Sequence, residues 1–85
     1  MNMNTKVARK LYRALESRYT AEIMDAQAKL AVYFESPSGI GEHPDVTSEI
    51  DTLLGQLADA TGKLEVLSNN YRTEYGESTK DVLKG

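Results

Sequence analysis

The groups best able to do chemistry in this chain sit close together just before its midpoint, in Ser36-Pro37-Ser38-Gly39-Ile40-Gly41-Glu42-His43-Pro44-Asp45. His43 is the only histidine, and Glu42 and Asp45 add carboxylates to the same turn. These three make an acid–base set only if the turn folds them onto one atom, and side chains adjacent in sequence seldom converge in that way. There is no cysteine and no G-x-S-x-G or H-E-x-x-H pattern, so catalysis is not expected. One His and no Cys argue equally against a metal site, and nothing calls for a cofactor. Capping and turn stabilisation are the plainer roles for these polar groups.

Binding fits the turn better than catalysis does. Gly39 and Gly41, with Ile40 between them, let backbone N–H groups approach a ligand closely, and a helix N-terminus just beyond favours an anion. Tyr33 and Phe34 precede the turn, and Lys29 lies one helical turn further back. A planar base can stack on an aromatic ring. Glu42 can accept from the N1–H and N2–H₂ edge of guanine, and His43 can donate to a phosphate. The candidate ligand-binding set is therefore Lys29, Tyr33, Phe34, Gly39, Ile40, Gly41, Glu42 and His43. The competing role for each ring is packing in a helix seam.

Two helices must position these groups. Both prolines of the chain and two of its six glycines fall in the turn, so a helix arriving there stops. Residues 7–34 contain no Gly or Pro and are rich in Ala, Leu, Glu, Lys and Arg, which predicts a first helix over about 5–35. One apolar line runs from Leu11 through Leu15, Tyr19, Ile23, Ala26 and Leu30 to Tyr33. An adjacent line holds Ala8, Tyr12, Ala21, Met24, Ala28 and Val32. That arc is wider than one antiparallel partner needs.

A second helix is predicted over about 45–75, with Pro44 at its first position and His43 or Asp45 as N-cap. Its heptad seam places Ile50, Leu57, Leu64 and Tyr71 at a and Val46, Leu53, Ala60 and Leu67 at d. Gly55 and Gly62 lie on the opposite face, where a second helix crossing closely needs small residues. Gly76 stands where a helix-ending glycine is expected, and residues 76–85 form a short tail. The fold class expected is all-α: one domain, an antiparallel two-helix hairpin that completes its core by self-association into a helical bundle. A dimer is the minimum and a tetramer the expected size.

At 85 residues the chain has a marginal core of its own, and no disulfide can reinforce it. The net charge of −3 is unevenly spread: residues 1–20 carry a local +4, residues 21–60 a local −7, and the rest balance to zero. An acidic protein repels long nucleic acid, while its basic end suits acidic partners in an assembly. No apolar run is long enough for a membrane span and no signal-peptide pattern follows Met1, so the cytoplasm is the expected location.

At Gly39-Ile40-Gly41-Glu42-His43-Pro44-Asp45, with Glu49-Ile50-Asp51 and Lys63-Leu64-Glu65-Val66-Leu67, the chain resembles a widespread family of small phage-encoded helical-hairpin proteins. The similarity spans about residues 26–67, roughly half the chain. The seven-residue turn is distinctive, whereas the run from Lys63 is generic coiled coil. The resemblance implies a phage origin, hence the host-cell cytoplasm. It also implies an anti-defence sponge that sequesters a cyclic nucleotide signal of CBASS-type bacterial immunity. The expected partners are then the chain itself and a small cyclic nucleotide. A phage structural or protein-interaction module acting through its coiled-coil helices is the alternative.

Overall fold

The computed structural model describes residues 3–36 and 45–77. The first helix, α1, runs Met3–Glu35, and α2 runs Val46–Tyr71 and continues as a π-helical turn, Arg72–Gly76. The described chain is helical with no strand. α1 and α2 pack as an antiparallel hairpin, and the π turn returns to the N-terminal part of α1.

Asp45 is the N-cap of α2. Its Oδ1 accepts from the Ser48 backbone N–H at 2.9 Å and its Oδ2 from the Ser48 hydroxyl at 2.8 Å. This satisfies one of the donors that a helix start leaves open. The helix therefore begins at Val46, one residue after its cap. The other end differs from expectation, because the α-helical bonding stops at Tyr71 rather than running on to Tyr75. The widened turn that follows closes with the Glu77 N–H donating to the Arg72 carbonyl at 3.1 Å.

The core is a narrow strip: Tyr12, Ala26 and Leu30 from α1 against Leu53 and Ala60 from α2. The d positions Leu53 and Ala60 are buried, while Ile50, Leu57 and Leu64 at a remain half-buried. Tyr71, expected in the seam, is exposed and stacks on Tyr75 instead, with centroids 6.5 Å apart. On α1 the predicted line fails at its N-terminal end, where Leu11 is 59% exposed and Tyr12 takes its place in the core. Three successive steps of four, from Leu11 to Ile23, each over-rotate the helix by about 40°, so the line winds off the contact face.

The molecule measures 56 × 23 × 17 Å and has a radius of gyration of 17.9 Å, against about 12 Å for a compact domain of this length. No large side chain among the described residues is fully buried, and eight large hydrophobic residues are exposed, Leu11, Met24, Phe34 and Val66 among them. Burial of apolar surface is the main favourable term in folding. A rod this thin leaves much of that surface in water.

Candidate functional site

Of the eight expected ligand-binding residues, Gly39, Ile40, Gly41, Glu42 and His43 lie outside the described residues. Lys29, Tyr33 and Phe34 occupy the last two turns of α1, which lead into that segment. Lys29 is exposed, and its Nζ lies 3.0 Å from Asp25 Oδ2, one helical turn back. Both side chains are 58% exposed, so the pair is screened and holds the lysine only weakly. Tyr33, four residues on, shares that side of α1 and is half-buried. Phe34 is 65% exposed and points about 100° away around the helix. The structure thus brings Lys29 and Tyr33 to one side and leaves Phe34 as a separate open ring.

The start of α2 is less open to an anion than its sequence suggests. The Asp45 carboxylate already occupies the Ser48 donor and sets a negative charge at the positive end of the helix dipole. That backbone bond, then the Ser48 hydroxyl, holds the Asp45 carboxyl below its ordinary range.

Among the described residues, two of the shallow clefts along the helix pair stand out. One, of about 230 Å³, is lined by Glu22, Asp25, Gln56 and Asp59. Its Asp25 and Asp59 carry ion pairs to Lys29 and Lys63, each 3.0 Å long. Among the described residues no cluster of His, Asp and Glu is arranged to hold a metal ion.

The other cleft, about 280 Å³ and mainly apolar, is lined by Tyr19, Lys63, Val66, Leu67 and Tyr71. Lys63 Nζ stands 5.8 Å above the centroid of the Tyr19 ring, within cation–π range. The Lys63 ammonium is pushed above its usual range, chiefly by its hydrogen bond to Asp59, with Tyr19 and Glu22 adding to the effect. Sequence reasoning missed this cleft. Its residues come from two helices, and their meeting depends on the hairpin register, which no single-helix period reveals.

At the far end of the rod, Gly76 sits directly against Tyr12. A Cβ built on Gly76 would lie 2.8 Å from Tyr12 Cε1 and 2.9 Å from Cζ. Arg13 Nη2 donates to the Gly76 carbonyl at 3.3 Å and fastens the π turn to α1. The Tyr12 hydroxyl is buried there, with no hydrogen-bond partner among the described residues. Gly76 is thus a packing glycine; it is the last residue of the π turn, with Glu77 as the cap, and does not take the left-handed, helix-ending conformation expected of it. Gly55 and Gly62, by contrast, have nothing within 4 Å of such a Cβ, so the hairpin itself makes no use of their small size.

No helix among the described residues is long and apolar enough to cross a membrane. Comparison with protein-family models, with curated proteins and with solved structures finds no match for this chain.

Proposed function

We propose that this protein is a non-enzymatic, homo-oligomeric hairpin that binds a small cyclic nucleotide and withholds it from a host effector, as a phage anti-defence sponge does. The observation that carries the proposal is that, among the described residues, eight large hydrophobic side chains of a two-helix rod are exposed and no large side chain is fully buried. Such a rod gains stability by burying those side chains against further copies. The ligand half of the proposal rests on the Gly39-to-Asp45 turn and its resemblance. It is supported by the open Phe34 ring and the weakly held Lys29 charge at the end of α1 that leads into the turn. Sequestration needs affinity and no chemistry, and each tenfold in Kd takes about 1.4 kcal/mol.

The test is a thermal-shift screen of purified protein against cyclic di- and trinucleotides, followed by calorimetric titration of any that raise the melting temperature. At a ligand concentration of 100 Kd, binding adds about 2.7 kcal/mol of stability. A shift with at least one cyclic nucleotide and none with linear mononucleotides is expected. No shift with any of them, and no nucleotide absorbance in the purified protein, sinks the ligand half. The second reading, a protein-interaction module, then takes over. It is favoured by the same exposed hydrophobics and by the engagement of Asp45 with Ser48 at the start of α2.

A further inference from the structure

The back of α1, the side turned away from α2, carries a second apolar seam. Val7, Ala14, Ala21 and Ala28 recur every seven residues, and Leu11, Arg18, Asp25 and Val32 do the same four residues later. Every one of these residues is exposed in the hairpin. Steps of four and three place them all on one face of the helix. From Val7 to Val32 the seam covers about 38 Å, most of the 56 Å length of the molecule.

Between Leu11 and Val32 the seam reads alike from both ends. About a centre near residue 21, aliphatic Leu11 mirrors Val32, small Ala14 mirrors Ala28, and Arg18 mirrors Asp25 with opposite charge. An isologous interface requires this, because each residue i that meets j is met by j in return. From this self-complementarity we infer that the back of α1 is a docking surface for the α1 of a second copy, running antiparallel about a two-fold axis near Ala21. The inference takes the self-association of the proposed function and assigns it a surface, and it stands whether or not a nucleotide binds.

Charge selects the orientation. A parallel pairing sets Arg18 against Arg18 and Asp25 against Asp25, which are unfavourable contacts. The antiparallel pairing joins Arg18 to Asp25 twice. Arg18 has no ion pair among the described residues. Asp25 uses Oδ2 for Lys29, and a carboxylate has a second oxygen to offer. At longer range the same orientation lays residues 1–20, with their local +4, beside the acidic C-terminal half of the partner's α1. Alanine at the three inner positions lets the two helix axes approach to the near end of the usual 8–10 Å range.

The test is sedimentation equilibrium at low salt on the full chain and its charge variants. Arg18→Asp and Asp25→Arg each turn two attractive pairs per dimer into two repulsive ones, so each raises the dimer Kd at least about tenfold. Arg18→Asp with Asp25→Arg in one chain restores the pairs and returns Kd to near the parent's. The chain has no cysteine, so Ala21→Cys and Gly55→Cys each create a single thiol. A short bis-maleimide links Ala21→Cys into dimers and leaves Gly55→Cys, on the outer face of α2, largely unlinked. If the parent self-associates while the charge reversals change nothing and Ala21→Cys fails to link, this surface is wrong although the assembly stands. A parent that stays at 9.4 kDa at micromolar concentration overturns both.

Discussion

Gly76→Ala separates helix propensity from packing, because the two predict opposite signs. The φ of Gly76 lies outside the left-handed region, so its backbone accepts alanine. On propensity alone the change stabilises the final turn by up to about 1 kcal/mol. The new methyl, however, would lie 2.8 and 2.9 Å from the Tyr12 ring, closer than real contacts allow. Tyr12 is only 3% exposed, so its ring has little room to withdraw. Either it shifts or the π turn lifts away and loses the Arg13 bond to the Gly76 carbonyl. Overpacking of this kind costs about 1–3 kcal/mol. The two effects leave a net loss of about 1 kcal/mol, which lowers Tm by about 4–8 °C for a domain of this size. Circular-dichroism melts at one fixed protein concentration read it out. In a Tyr12→Leu background the ring is gone and Gly76→Ala becomes neutral or stabilising, a coupling of about 1–2 kcal/mol in the double-mutant cycle. A Gly76→Ala protein with parental helicity and a Tm at or above the parent's refutes the contact.

Gly55→Ala meets open space at mid-helix, so it raises stability by about 1 kcal/mol, seen as a higher Tm. Gly62→Ala does the same unless the outer face of α2 is an assembly contact, in which case sedimentation shows weaker association. Asp45 carries its carboxyl below the usual range, so its cap is whole above about pH 4 and fades as pH falls through the lowered value. Asp45→Ala removes that part of the pH dependence, measured as Tm against pH between 2 and 6. Gly41→Val abolishes nucleotide uptake if the turn binds through its backbone, and Glu42→Gln costs guanine-containing ligands about 1–3 kcal/mol while sparing adenine-only ones. Calorimetric titration of both variants, at parental helicity and mass, decides between the nucleotide reading and a plain turn.

The two helices were legible because their signals are local. Leu53 and Ala60 sit in an unbroken alternation of four and three, and the Pro/Gly cluster punctuates it once. What the period could not reveal was how each end resolves. Tyr12 displaces Leu11 from the core because the α1 line drifts, and a drifting line leaves the choice between neighbours to the partner helix. The π turn at Arg72–Gly76 depends on how closely α2 must approach Tyr12 and Arg13, which lie more than sixty residues away. Of the candidate site, Lys29 and Tyr33 share a side of α1, which the helical period foretells, whereas Phe34 follows Tyr33 directly and cannot face the same way; the turn residues lie outside the described residues.

The apolar arc of α1, too wide for one partner, now has a physical account. It is two seams rather than one broad one. Tyr12, Ala26 and Leu30 face α2, while Val7, Leu11 and Val32 lie on the opposite side with alanines between them. The sequence pattern blurs them together because alanine serves both, buried at Ala26 and exposed at Ala14, Ala21 and Ala28. Exposure in the hairpin is what separates them. It also moves the expected contact between copies from the outer face of α2, where Gly55 and Gly62 meet nothing, to the back of α1, where large apolar side chains stand in water. A glycine pair permits close approach but offers no surface to bury, whereas Val7, Leu11 and Val32 each offer apolar area worth about 25 cal/mol per Å² removed from water. By that measure the back of α1 offers more to the proposed contact between copies than the glycine face of α2 does.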